Sequence, residues 1–266
     1  GGSSGGRSSS AHAAVSQLSV YDPYFCQGKM VRALCDALPA LDASRVINAN
    51  RDFYADVEAL AVPDHDVLVS NPPYSGHHKQ RLLSYLSGEW QAGGQRARAA
   101  VAGGGSGGSG GGTSRPFLLL LPAWMAGTSY WQEFVQSAAG LCKGCNAGAN
   151  GKSKGGRSKG GRSKGGRTSS SSSSSSSAEA RAGIFYVSPA VRYNFSHPQA
   201  TGHATSPFHA VWFCGGWASD KDRRRAMRSL RPLRRSGQIE CFRSAKMLQR
   251  RGHFAKGAAS AEAGVA

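Results

Sequence analysis

The reading of this chain turns on Asp66-Val-Leu-Val-Ser-Asn-Pro-Pro-Tyr74. Asp66 to Ser70 is a short, β-rich apolar run of the kind buried on both faces of a sheet. It passes straight into Asn71-Pro72-Pro73. Two prolines fix φ and remove two backbone donors, so the ladder stops there. The Asn71 side chain and the Pro72 carbonyl are then held rigidly at the carboxyl end of the strand. In open α/β sheets, ligands bind at that edge. Two acceptors in this setting suit a planar amino group, because they take both of its N–H bonds and leave the nitrogen lone pair directed at an electrophile. Pro73 shapes the turn, and the Tyr74 ring can stack on a flat substrate.

Outward from this stretch the pattern alternates. Leu18 to Tyr21 reads as a strand ending at Asp22. Gly28 to Leu38 is helical, with Met30, Val31, Leu34, Cys35 and Leu38 on one face. Arg45 to Asn50 is a second strand. His77 to Leu86 is a helix with Leu82, Leu83 and Leu86 inward. Pro116 to Leu121 is a continuous apolar strand, and Tyr130 to Ala138 a helix. Ile184 to Val187 and Phe208 to Phe213 close the set as strands with no obvious helix between them. This alternation predicts an α/β fold, a mostly parallel sheet with an antiparallel edge hairpin, interrupted by low-complexity insertions.

The chain has 266 residues, 33 Lys+Arg against 15 Asp+Glu, and a formal net charge of +18. Residues 139–181 hold nine basic residues and one acid, a net +8; residues 221–256 hold thirteen and two, a net +11; everything else sums to −1. The first of these segments contains three SKGGR units from Ser153 to Arg167 and nine serines from Ser169 to Ser177. Ala92 to Ser114 is mostly Gly, Ser and Ala. Such compositions bury too little apolar surface to offset the entropy of folding. The expected organisation is disorder over 1–15, a folded domain over 16–219 with disordered insertions at about 92–114 and 139–181, and a basic tail over 220–266, flexible or partly helical. No apolar run nears the roughly 20 residues of a membrane span, so no membrane partner is expected. The start has no secretory pattern and no initiator Met, which suggests a fragment or a processed product. Six cysteines are ordinary usage and point to a reduced intracellular setting, nucleus or cytoplasm. Cys142-Lys-Gly-Cys145 has no second pair, so no metal site is expected.

Ser70-Asn71-Pro72-Pro73-Tyr74 resembles the (D/N)PP(Y/F/W) signature of S-adenosylmethionine-dependent amino-methyltransferases. The resemblance implies a Rossmann-like methyltransferase sheet and methyl transfer to an exocyclic amine or an amide nitrogen. Asn71, Pro72, Pro73 and Tyr74 would form the catalytic turn. Tyr21-Asp22-Pro23-Tyr24-Phe25-Cys26-Gln27-Gly28 is similar to the DPF-C-G-x-G cofactor loop of the same enzymes, with one Gly remaining and bulky residues at 24 and 25. Asp22, Pro23, Tyr24 and Gly28 would line S-adenosylmethionine, with Asp22 near its amine and the helix N-terminus facing its carboxylate. Asn50 and Asp52 are the candidates for its ribose or adenine, Asp52 being equally a helix N-cap. Only about 49 residues separate Asp22 from Asn71, so one strand–helix unit is expected to be shortened.

Together with Phe117 to Pro122, Arg192-Tyr193, Ser206-Pro207-Phe208 and Trp212, these segments look like an uncharacterised eukaryotic group of predicted methyltransferases. Arg192 and Tyr193 are the substrate candidates, a guanidinium and a ring suited to a phosphate and a stacked base. His77-His78 lack triad spacing and are expected to be solvent-exposed. The leading expectation is an N-methyltransferase acting on an amino group of a nucleic-acid base, DNA or RNA. Ser70 to Tyr74 equally resembles the SNPPY of protein glutamine methyltransferases, which would make a protein the substrate. The reduced glycine loop keeps a third reading open, a non-catalytic nucleic-acid-binding protein on a decayed scaffold.

Overall fold

The computed structural model describes residues 12–88, 115–141, 174–191 and 208–253. A helical turn α1 (12–16) leads into β1 (Val20–Tyr21), α2 (Lys29–Ala37), β2 (Val46–Ile47), α3 (Phe53–Glu58), β3 (Val67–Ser70) and α4 (78–88). Then come β4 (Phe117–Pro122), α5 (Ser129–Leu141), α6 (Ser174–Arg181), β5 (Phe185–Pro189), β6 (Ala210–Gly215), α7 (Asp220–Ser229), α8 (Arg231–Arg235), β7 (Ile239–Phe242) and α9 (Ala245–Arg250). The strands form one seven-stranded sheet in the order β2-β1-β3-β4-β6-β5-β7. β2, β1, β3 and β4 are parallel, and β6, β5 and β7 add by antiparallel pairing. The fold is mixed α/β, as the alternation predicts. Between β2 and β3 the chain has only α3, the shortened connection that the sequence spacing implied.

Two expectations need correction. The antiparallel pair lies inside the sheet, not at its edge. β6 pairs with β4 over six residues, Phe117↔Gly215 to Pro122↔Ala210, and β7 covers the far side of β5. Gly215 and Gly216 permit this close approach. A Cβ at Gly215 would lie 2.4 Å from the Phe117 ring, and one at Gly216 (φ +75) 2.0 Å from the Arg115 carbonyl oxygen. Folded structure also continues past residue 219: the basic stretch expected to be flexible or partly helical forms the helices α7, α8 and α9, and its β7 adds a strand to the sheet. Their apolar contacts are spaced among arginines, which hid them in the composition. Much of the +11 of residues 221–256 therefore sits on folded elements.

Both faces of the sheet are covered. α2 packs Met30, Val31 and Leu34 against Val20, Val46 and Val69. On the same face, Ala226, Met227 and Leu230 of α7 and its end pack with Phe185, Val187 and Cys214. The opposite face holds the main core, where α3, α4, α5, α6 and α9 bring Phe53, Leu82, Trp131, Ala178 and Leu248 onto Leu68, Leu119 and Phe213. The ends of the 139–181 segment take part as well, since Ala139, Ala178 and Glu179 are buried. Glu179 Oε1 accepts from the Tyr186 hydroxyl (2.5 Å) and from the Ala245 backbone N–H (2.9 Å), tying α9 to α6 and β5. The insertion at 92–114 and the SKGGR and serine repeats lie outside the described residues, apart from the last serines, which open α6.

Candidate functional site

The site follows from strand order. β1 is flanked by β2 on one side and β3 on the other, so the chain leaves β1 in one direction and returns on the opposite side. That reversal opens a crevice beyond the carboxyl ends of β1 and β3, the usual ligand position in such sheets. Tyr21 pairs with Leu68, so Asp22, the next residue, arrives beside the end of β3. The Ser70 hydroxyl donates to Asp22 Oδ1 at 2.7 Å. The Tyr24 backbone N–H donates to the same oxygen at 3.3 Å. Asn48, just past β2, donates through Nδ2 to Asp22 Oδ2 and to the Asp22 carbonyl, both at 3.2 Å. Asp22 is 3 % exposed. Burial pushes its carboxyl up to about 6, against the downward pull of the Ser70 and Tyr24 hydrogen bonds. Asn48 Oδ1 is buried and has no hydrogen-bond partner.

The loop after Asp22 solves the problem of its bulky residues by turning one inward. Pro23 is buried. The Tyr24 ring packs edge-on against Phe53 with centroids 5.8 Å apart. Its hydroxyl meets the Tyr54 hydroxyl at 2.9 Å, which in turn lies 2.9 Å from His78 Nδ1. The Arg81 guanidinium covers the Tyr54 ring at 3.7 Å, a cation–π contact. Phe25 stays exposed. Gln27 (φ 54) and Gly28 (φ 66) are successive left-handed residues that start α2. A Cβ at Gly28 would have no atom within 4 Å, so its backbone faces open space. A small pocket opens between the ends of β1 and β2, lined in part by Tyr21, Pro23, Ile47, Arg51 and Phe53. Asn50 is exposed between two lining residues, Ala49 and Arg51. Asp52 is the N-cap of α3: its Oδ1 accepts from Tyr54 N at 2.9 Å and Ala55 N at 3.3 Å. Of the two roles open to Asp52, the structure displays the capping one.

At the end of β3, Asn71 and Pro73 are exposed, Pro72 is buried and Tyr74 is half-buried. The Tyr74 hydroxyl donates to Asn71 Oδ1 at 2.6 Å and lies 3.2 Å from the Leu120 carbonyl. Its ring meets Phe208 edge-on at 5.2 Å. The aromatic of the motif thus braces the asparagine as well as offering a ring. Lys79, buried in α4, donates from Nζ to the Tyr74 carbonyl and so clamps the turn. Burial lowers its ammonium pKa.

The structure brings together Asp22, Pro23, Tyr24, Gly28, Asn50 and Asn71 to Tyr74 along one edge of the sheet. Arg192, Tyr193, Cys142, Cys145, Ser206 and Pro207 lie outside the described residues. Sequence reading missed Ser70, Asn48, Tyr54, Lys79 and Arg81. It also set His78 aside as solvent-exposed; the structure half-buries it against Tyr54. Ser70 and Asn48 were recoverable in principle, because Ser70 ends β3 and Asn48 directly follows β2, at the carboxyl ends of neighbouring strands. Among the described residues, no group of His, Cys, Asp and Glu could hold a metal ion. No helix among them is long and apolar enough to cross a membrane. Comparison of the chain with protein-family models, curated proteins and solved structures finds no match.

Proposed function

We propose that this chain is a Rossmann-like, S-adenosylmethionine-dependent N-methyltransferase acting on an amino group of a nucleic-acid base. One observation carries the reading. Asp22 and the Asn71-Pro72-Pro73-Tyr74 turn lie 49 residues apart in the chain, yet Ser70 joins them by a hydrogen bond at the sheet's switch point. The family resemblance implies one chemistry for both segments, and their meeting at the ends of β1 and β3 supports that reading.

The residues present fit the cofactor. Its amine would meet Asp22 and the unpartnered Asn48 Oδ1, and its carboxylate the N-terminus of α2 beside the open Gly28 backbone. A flat base and ribose suit the pocket of Ile47, Pro23 and Phe53. When bound, the cofactor supplies an electrophilic methyl group on a sulfonium. The protein's own part is positioning. Asn71 Oδ1 and the Pro72 carbonyl accept the two N–H bonds of the substrate amine and aim its lone pair. The Tyr74 hydroxyl fixes the Asn71 amide, and Lys79 fixes the turn. The proton shed by the methylated nitrogen leaves to solvent past the exposed Asn71. A base held in a duplex must first be extruded to reach this edge.

Calorimetric titration of the full chain with S-adenosylmethionine, followed by transfer of labelled methyl into DNA and RNA pools, tests the proposal. One-site binding and label in nucleic acid support it. Absence of cofactor binding overturns it. Label in a protein band would keep the chemistry and move the substrate to a side-chain amide.

A further inference from the structure

α7 and α8 carry seven arginines from Arg223 to Arg235, with no lysine and no acid within that span. Leu230, between the two helices, keeps right-handed helical backbone (φ −79, ψ −5), so α8 follows α7 without an intervening loop. Ala226, Met227 and Leu230 pack on the sheet, so the arginines stand on a docked element rather than a free tail. Arg223 and Arg224 bind Asp220. Arg225, Arg228, Arg231, Arg234 and Arg235 are exposed and have no carboxylate partner among the described residues.

Arg225 and Arg228 of α7 stand at i, i+3, and Arg231 and Arg235 of α8 at i, i+4, so each pair shares one side of its own helix. The four fall within ten steps of the chain, no more than about 15 Å at 1.5 Å per residue. Like charges at that spacing repel and lower helix stability. The helix dipole favours cations in the last turn only, which leaves most of these arginines unexplained as local stabilisation. Planar guanidinium forks match phosphate oxygens bidentately. Leu233 is the one large apolar side chain exposed on the run, too little for a membrane-inserting face.

The two helices also point at the site. β6 ends opposite Phe117, at the amino end of β4. β7 begins with Ile239 opposite Pro189, at the carboxyl end of β5. The α7–α8 run therefore climbs from one edge of the sheet to the edge that carries Asn71. β5 is three strand steps from β3, about 14 Å at 4.8 Å per step.

We infer that the arginine face of α7–α8 binds the phosphate backbone of a single-stranded nucleic acid and lays the strand toward the Asn71 edge. The docking stands by itself; only the fate of the delivered base rests on the methyltransferase reading. The test uses the full chain, no cofactor and a labelled single-stranded RNA oligonucleotide of mixed sequence. Five phosphate contacts at about 0.7 each give a log–log salt slope near −3.5, a loss of roughly a hundredfold between 50 and 200 mM salt. The triple variant R225Q/R228Q/R235Q should bring the slope to about −1.5, with circular dichroism unchanged. Binding within twofold of the parent at an unchanged slope would overturn the inference. So would tighter, equally arginine-dependent binding to phosphatidylserine vesicles, which would make the partner a membrane surface. Strand binding without cofactor uptake would sink the enzymatic reading alone, and turnover without arginine-dependent binding would sink the docking face alone.

Discussion

The parallel and antiparallel halves of the sheet are held together differently. β1 pairs with β2 and with β3 over two residues each, whereas β4 pairs with β6 over six. The short ladders contribute few backbone bonds, so the parallel half relies on side chains: Asp22, Asn48 and Ser70 join three strand ends. The antiparallel half relies on close backbone approach at Gly215 and Gly216 and on the buried Trp131–Tyr186–Glu179 network. The candidate site lies where the ladder is short, because a strand that stops early leaves its end open. Stability collects where the ladder is long.

Four substitutions test this division. Gly216→Ala should have the largest effect. Left-handed strain and a collision with the Arg115 carbonyl together cost about 4 kcal/mol, and the melting temperature should collapse. A melting curve like the parent's would show that the antiparallel half does not carry the fold.

Asp22→Asn should act with the opposite sign. The ordinary carboxyl value is 3.8, and burial pushes the folded one up to about 6. Between those values the folded state holds a proton that the unfolded state has lost. Stability therefore falls as pH rises through that window and stays lower above it, by up to about 3 kcal/mol. Removing the charge should stabilise the chain at pH 7, flatten this part of its pH dependence, and weaken cofactor binding. Denaturant melts at pH 4 and pH 7 read the difference. A variant less stable than the parent at pH 7 would contradict the cost assigned to this carboxylate.

Asn71→Ala should lower turnover by about a hundredfold or more and leave both the melting temperature and cofactor affinity near the parent values. Equal loss of turnover and cofactor binding would deny Asn71 its assigned role. Tyr54→Phe should be the mildest. It removes hydroxyl contacts to Tyr24 and His78 and should cost about 1 kcal/mol, a shift of roughly 3 °C. No shift would mean that the Tyr24–Tyr54–His78 chain contributes nothing to holding the loop after Asp22.

How far the sequence was legible depended on how local each signal was. The strand Val67–Ser70 and its stop at Pro72 were readable because apolar runs and proline geometry act within a few residues. α2 was readable from its apolar face. β7 was not, because Ile239, Cys241 and Phe242 sit among charged neighbours and pair with β5 across some fifty residues. The folded ends of the 139–181 segment were hidden by their setting, since Ala178 and Glu179 adjoin a serine run and only their burial gives them meaning.

The sequence by itself determined which chemistry the chain can present: a rigid Asn-Pro-Pro-Tyr turn at the end of a buried strand, and an acid at the end of another. Those are properties of short segments, set by φ restriction and hydrophobic run length. The tertiary structure decided which strands are neighbours, and with that whether Asp22 meets Ser70, whether the arginines of α7 and α8 are docked or free, and which edge they approach. Strand order depends on packing between residues far apart in the chain, and no local spacing encodes it.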